Sequence, residues 1–372
     1  MGEKVILQVI GGLNRGGAET MLMNIYRNMD KHYRFVFLSY RPEDTQDDYE
    51  QEILSNGDRI IKLPVARVHN PVTFYMDLMA LMRENHFDCV HCHTLFNSGV
   101  VMLAAKHSKI PVRITHSHST GIMKRNNLIN RMYFAFSRYL IRHNTTMQIA
   151  CTQQCGEYLF GGDFQGVILN NGIDIDKFNT TTQPMLSMHP DLARTDILKL
   201  AAISSFYEVK NHTFMIKVAD CLRNRSVAFK LFFVGRGPLE EKLRQEVQQY
   251  GLEEYIIFLG VISNVHELLP AIDVVLMPSL YEGLPVSLIE AQASGTPAVI
   301  SNKISPDVNL GLDLITFLDI DGNYDQWADT ILAMDKARPD QETITETINK
   351  SGYNVKENVK IVSALYDGKT RV

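Results

Sequence analysis

The chain has 372 residues, of which 45% are apolar and 21% charged, enough to bury about two domain cores. Its 23 glycines and 13 prolines exclude collagen-like and low-complexity chains, and its net charge of −5 argues against a general nucleic-acid binder. No apolar run reaches the ~18 residues of a membrane span, and five cysteines, an odd and low number, point away from a disulfide framework and towards a reducing cytoplasm.

Short β-branched runs alternate with amphipathic segments from one end to the other. Val5–Ile10 reads as a first buried strand and not as a secretory signal, because it starts at once and runs into glycines. Further strands are expected at Arg34–Ser39, Arg59–Leu63, Cys89–His93, Val112–His116, Thr146–Cys151 and Gly166–Leu169, with helices at Glu19–Met29, Val72–Asn85, Ser98–Lys106 and Leu128–Ile141. The second half repeats the pattern. Strands are expected at Leu198–Ile203, Lys230–Val234, Ile256–Leu259, Val274–Met277 and Ala298–Ile300, and helices at Thr213–Arg223, Leu239–Tyr250, Val265–Leu269, Val286–Ser294, Tyr324–Lys336 and Tyr353–Tyr366. Such a series predicts two doubly wound, Rossmann-like parallel-sheet domains facing a cleft. Residues 1–178 form the first, 179–194 a Thr- and Pro-containing linker, 195–352 the second, and 353–372 a helix returning to the first. Ligands of such sheets sit outside the carboxyl ends of the strands, so functional residues are sought there.

Gly11-Gly12-Leu13-Asn14-Arg15-Gly16-Gly17-Ala18-Glu19 follows the first strand and opens a helix. It is either a phosphate-approaching loop or a tight turn capped by Glu19. Cys89-Val90-His91-Cys92-His93 places its two cysteines on opposite faces of a strand, so no metal is expected there. In His116-Ser117-His118 both imidazoles lie on one side of a strand end. From Cys89 to Gly156 there is no acidic residue, while eight Lys and Arg and six of the twelve histidines fall in that stretch, as expected beside something anionic. Within it, Leu128, Ile129, Met132, Tyr133, Phe136, Tyr139 and Leu140 make an apolar helical stripe, and Lys124, Arg131, Arg138 and Arg142 a basic one. Two readings stay open: a helix with its apolar face in the core, or a basic helix lying on an anionic membrane.

In the second half, Tyr281-Glu282-Gly283-Leu284-Pro285-Val286 leads from a strand end into a helix that carries Glu290. Pro285 suits the first helical position, and free N–H groups around Leu284–Ser287 suit a phosphate. The Asp174-Ile175-Asp176 and Asp319-Ile320-Asp321 triplets read as solvated turn carboxylates.

The segment from Glu282 to Glu290 resembles the E-x7-E signature of the retaining glycosyltransferases of family 4, which have the two-domain GT-B fold. Gly16-Gly17-Ala18-Glu19, Asn171-Gly172-Ile173-Asp174 and Val234-Gly235-Arg236-Gly237-Pro238 resemble further family turns, so the likeness spans nearly the whole chain. The subgroup resembled makes bacterial capsular or exopolysaccharide. The resemblance implies transfer from a nucleotide-diphosphate sugar to a glycan or lipid-linked acceptor, with no metal or other cofactor, at the cytoplasmic face of the membrane. It implies that Glu290 binds the donor ribose, that Glu282 contacts the transferred sugar, and that the backbone of Gly283, Leu284, Pro285 and Val286 holds sugar and phosphate. It further implies that Gly16 and Gly17 approach the diphosphate or the acceptor, that Gly235 belongs to the donor site, and that His118 or His116 faces the reacting centre. Lys210 would clamp the diphosphate. Its usual arginine companion is replaced by Ser205, for which Arg236 could substitute. Two other readings fit that departure or the fold: a catalytically silent nucleotide-sugar-binding subunit, and a sugar-nucleotide epimerase.

Overall fold

Short β-branched runs in the first half become strands, the central ones buried on both faces. The computed structural model describes residues 2–119, 128–162, 164–179, 189–335 and 337–369. β1 (Lys4–Ile10), β2 (Tyr33–Ser39), β3 (Arg59–Lys62), β4 (Cys89–Cys92), β5 (Val112–Ser117), β6 (Met147–Ala150) and β7 (Val167–Ile168) form one parallel sheet. Its order is β3-β2-β1-β4-β5-β6-β7. Alternation sends Ile6 and Ile10 to one core and Leu7 and Val9 to the other, so helices cover both faces.

β8 (Leu198–Ile203), β9 (Phe229–Val234), β10 (Ile256–Gly260), β11 (Val274–Met277), β12 (Ala298–Ser301) and β13 (Ile315–Leu318) form a second parallel sheet, ordered β10-β9-β8-β11-β12-β13. In each sheet the strand order reverses beside the first strand, between β1 and β4 and between β8 and β11. These are the switch points at which doubly wound sheets bind ligands.

The chain divides into two compact units, residues 1–172 with 352–372, and residues 173–351. The Val355–Tyr366 helix belongs to the first. Val355, Val362, Leu365 and Tyr366 are buried in the core that also holds Ile6, Phe35 and Phe37. Gly172 permits this contact, since a Cβ there would lie 2.5 Å from the Asn358 amide, and Asn358 Nδ2 donates to Asn170 O at 2.7 Å. Residues 173–178, read from the sequence as the end of the first domain, fall in the second unit. There Ile173 and Ile175 are buried and Phe178 packs edge-on against His266. Most of the expected linker, 180–188, lies outside the described residues. Its end is not loose: Asp191 pairs with Lys230 on β9 at 3.2 Å.

Several elements have no counterpart in the sequence reading, among them β13 and the helices Glu50–Ser55, Gln153–Phe160 and Gln341–Lys350. β13 is four half-buried residues, and the first helix is six residues without a stripe, so neither carries a periodic signal.

Candidate active site

The chain leaves β8 through Ser204–Asn211 and β11 through Pro278–Pro285, and the two loops are joined. Leu280 N donates to Val209 O at 2.8 Å, and Asn211 Nδ2 donates to Pro278 O at 3.0 Å. Asn211 has a φ of 56°, the left-handed turn that lets a helix begin at His212 directly after Lys210. These links bring Lys210 and Glu282, 72 residues apart, into an ion pair whose side chains are only 19% and 17% exposed. Glu282 is fixed from behind as well, its carbonyl accepting from Ser305 N at 3.2 Å.

Ser205 lies in the first of these loops, against the β9 turn. Phe206 N donates to Arg236 O at 3.0 Å, and Ser204 N donates to Val234 O at 3.0 Å. A Cβ on Gly235 would overlap Ser204 O, and one on Gly237 would lie 2.5 Å from Phe206 O. Both glycines are thus needed for two backbones to touch. The exposed Arg236 is carried beside the Ser205 segment by this contact.

The helix after β11 spans Val286–Ala293, with Pro285 as its cap and not its first residue, because the ψ of Pro285 is 119°. Gly283 is different from the packing glycines: a Cβ there would meet nothing within 4 Å. Leu284 is half-buried at the mouth of the helix. Glu290 sits in the second turn, and its carboxylate accepts no hydrogen bond among the described residues. Burial pushes its carboxyl up to about 7, and the Lys177 ammonium offsets this only in part. The second unit therefore gathers Lys210, Glu282, Glu290, Gly283 and a helix N-terminus around one switch point. The Asp319 carbonyl accepts from Trp327 Nε1 at 2.8 Å, a structural role for that triplet.

In the first unit the glycine loop is closed by its own side chains. Gly16 caps the Gly17–Asn28 helix, and the Glu19 carboxylate occupies the space a Cβ on Gly16 would take. Desolvation raises the Glu19 pKa, and nearby Asp47 raises it further. Asp47, which sequence reasoning missed inside a polar stretch, is buried and accepts from Leu13 N at 2.6 Å and from Asn14 Nδ2 at 2.7 Å. The Arg41 guanidinium, 3.4 Å from Asp47, partly offsets these two carboxyl groups beside the loop.

The carboxyl ends of β4 and β5 bring four histidines into one array. His116 and His118 stack with ring centroids 4.0 Å apart, and His91 and His93 lie 4.2 Å apart. Across the strands, His91 Nε2 is hydrogen-bonded to His116 Nδ1 at 3.3 Å and His93 Nδ1 to His118 Nε2 at 2.8 Å. The sequence separated these pairs and missed two members. Gln8 Nε2 donates to the Tyr366 hydroxyl at 2.6 Å, Gln8 Oε1 is bonded to His93 Nε2 at 2.9 Å, and Tyr366 OH to His91 Nδ1 at 2.9 Å. A glutamine inside the apolar run VILQVI was the available signal for Gln8.

Burial pushes the rings of His91 and His118 down to about 3, and those of His93 and His116 well below the ordinary range. The array is thus neutral at pH 7 and adds nothing to the basic character of its stretch. Nitrogens of His91, His93 and His116 lie within 4.8 Å of one another, a spacing that three ligands of one metal ion can adopt. His91 and His93, however, have both nitrogens engaged in the network above.

The Leu128–Asn144 helix corrects the single apolar stripe read from the sequence. Phe134, Leu140 and Ile141 are buried and Tyr133 is half-buried, but Leu128, Met132, Phe136 and Tyr139 are 56–71% exposed. The side chain of Ile129 is not described. The basic stripe is also divided. Arg138 Nη2 donates to Tyr158 O at 2.7 Å and Arg142 Nε to Phe160 O at 2.8 Å, so both cap the Gln153–Phe160 helix. Arg131 is exposed, and Lys124 lies outside the described residues.

The neutral array predicts acid sensitivity. Folded, His91 and His118 bind protons only near pH 3, whereas the unfolded chain binds them near 6.5. Stability from this source is complete above pH 6.5 and is lost as pH falls through that window, by up to about 1.4 kcal/mol per pH unit per ring. Melting followed by calorimetry between pH 7 and 4 should show the fall, and a His118→Asn variant a shallower one; an identical slope in both would contradict a buried neutral ring.

Two family models cover most of the chain between them. "Glycosyltransferase Family 4" matches residues 15–177 and "Glycosyl transferases group 1" matches residues 190–350. EpsF of Bacillus subtilis (strain 168), which bears a glycosyltransferase name, is 40% identical over 98% of this chain and 97% of its own length. The capsular polysaccharide biosynthesis glycosyltransferase CapH of Staphylococcus aureus is 23% identical over 82% of this chain and 83% of its own. The crystal structure of Anabaena HepE in complex with UDP-glucose shares the fold, with a TM-score of 0.69 at 17% identity over 97% of this chain and 95% of that one. Two Rossmann-like units, matched in turn by two glycosyltransferase models and in full by a relative of near-equal length, place this chain in the GT-B glycosyltransferases of family 4.

Proposed function

We propose that this protein moves a sugar from a nucleotide-diphosphate sugar to a glycan or lipid-linked acceptor in cell-surface polysaccharide synthesis, with retention of configuration. The observation that carries the reading is the half-buried Lys210–Glu282 pair beside the unpartnered Glu290 at the β8/β11 switch point. Lys210 and the N-terminus of the Val286–Ala293 helix supply positive potential for a diphosphate leaving group. When the phosphates draw Lys210 away, Glu282 is released to accept hydroxyls of the transferred sugar. Glu290, poised near neutrality, accepts the ribose diol. Ser205 leaves one cation fewer than the family pattern, and Arg236 is the nearest substitute by backbone position. HepE's UDP-glucose complex and CapH's role in capsule synthesis support a nucleotide-sugar donor and a surface-polysaccharide product. No side chain is placed as a covalent nucleophile in this reading; the leaving phosphate takes the acceptor proton on the same face.

Glu290→Ala and Lys210→Ala should each lower transfer at least about tenfold, the scale of one lost charged contact. Product formation from UDP-glucose and other nucleotide sugars, followed chromatographically, checks this. Full activity in the Lys210 variant would refute the clamp. Interconversion of the donor sugar without acceptor would favour the epimerase reading, and binding without turnover the silent subunit.

No helix of the described residues is long and apolar enough to cross a membrane. We assign membrane contact instead to the exposed Leu128, Met132, Phe136 and Tyr139 stripe flanked by Arg131, which suits a lipid-linked acceptor at the cytoplasmic face. Sedimentation with phosphatidylglycerol vesicles should show salt-sensitive binding that Phe136→Glu abolishes while nucleotide binding persists. Equal binding by both proteins would remove this stripe from the account.

A further inference from the structure

The histidine array has a property that follows from proton counting alone. Its bonds form one unbranched path: His116, His91, Tyr366, Gln8, His93, His118. A neutral imidazole has one N–H and one bare nitrogen, a phenol donates once, and an amide donates from nitrogen and accepts at oxygen. If Gln8 turns its NH2 to Tyr366, the phenol must donate to His91 Nδ1. His91 then donates from Nε2 to His116 Nδ1, and His116 is left with an N–H at Nε2. On the other arm His93 donates from Nε2 to the Gln8 oxygen, His118 donates from Nε2 to His93, and His118 is left with a bare Nδ1. If the Gln8 amide is reversed, every bond reverses. All four rings therefore carry their proton on Nε2, or all four carry it on Nδ1. In either state one end of the path is a donor and the other an acceptor.

Those ends are His116 Nε2 and His118 Nδ1. Both atoms are buried, neither has a hydrogen-bond partner among the described residues, and their rings are stacked. Two buried, unmatched polar atoms are costly unless a ligand completes them. A fully ionised oxyanion or a carboxylate offers only acceptors and would leave one end unmet. An ammonium offers only donors. A hydroxyl offers one of each.

We propose that Gln8, Tyr366, His91 and His93 act as positioning residues that hold His116 and His118 as a matched donor–acceptor pair for a carbohydrate hydroxyl. This rests on the glycosyltransferase reading for the identity of the ligand, but not for the existence of the circuit. Burial keeps the rings uncharged near neutral pH, so the pair selects the uncharged part of a substrate and leaves phosphate recognition to the second unit. The C-terminal helix, through Tyr366, thereby couples the proton positions of the two arms.

Long-range proton–nitrogen spectra of the full chain with nitrogen-15 in its histidines test this. In the wild type at pH 7.5 the four array rings should be neutral and share one tautomer. Opposite tautomers on His91 and His93, or a charged ring, would overturn the circuit. Tyr366→Phe deletes the link between the arms, so His91 and His116 should no longer share the tautomer that the Gln8 amide imposes on His93 and His118. A merely structural phenol would loosen all four or none. If Tyr366→Phe does not fold, Gln8→Leu should free both arms. Uncharged methyl glycosides of glucose, galactose and N-acetylglucosamine should shift the His116 Nε2 and His118 Nδ1 signals, and inorganic sulfate, a fully ionised acceptor, should not. A response to sulfate, or to none of the glycosides, would overturn the ligand class. A uniform tautomer in a protein that binds no nucleotide sugar would uphold the circuit and sink the proposed sugar transfer.

Discussion

The Lys210–Glu282 ion pair ties together two loops that sequence keeps far apart, and the donor-site account depends on it. It forms because β8 and β11 are neighbours whose following connections diverge to opposite faces of the sheet. No element covers the gap between them from within the sheet. Two backbone-directed bonds, Leu280 to Val209 and Asn211 to Pro278, then set the spacing at which the charges meet. A half-buried pair of this kind gains little net stability, since desolvation offsets most of the attraction. Its value lies in holding a cation and a carboxylate ready to exchange partners. On the proposed reading a diphosphate takes the cation and a sugar takes the carboxylate.

The first unit uses the same topology with the opposite electrostatics. Its switch point lies between β1 and β4 and carries Gln8, His91 and His93 in place of an ion pair. Its glycine loop is closed by Glu19 and pinned by Asp47. On this reading an exchangeable ion pair stands at the β8/β11 switch point, and uncharged hydrogen-bonding groups stand at the ends of β4 and β5. The arginines that made the first half look basic are partly structural, with Arg138 and Arg142 closing a helix end.

The fold class was legible because short, mostly apolar runs alternate with helical periods along most of the chain. Strand β13 and the short Glu50–Ser55 helix were not, because a few half-buried residues carry no period. The donor-side residues could be named from the Glu-x7-Glu spacing and its family likeness. Their pairing could not, since it depends on which strands become neighbours. The helix at Leu128–Asn144 misled for a physical reason: aromatic and Met side chains mark an apolar face whether it is packed or left open. The histidine circuit was half visible. Period two placed His116 with His118 and His91 with His93, but joining them required the β4–β5 register and a tyrosine 248 residues beyond the last of them.

The most direct test of the central claim is amide hydrogen exchange on the whole chain with and without UDP-glucose. The account predicts slowed exchange in peptides spanning Ser204–His212 and Tyr281–Glu290, with Glu290→Ala weakening both together. Protection confined to other segments of the second unit, or none at any ligand concentration, would contradict it.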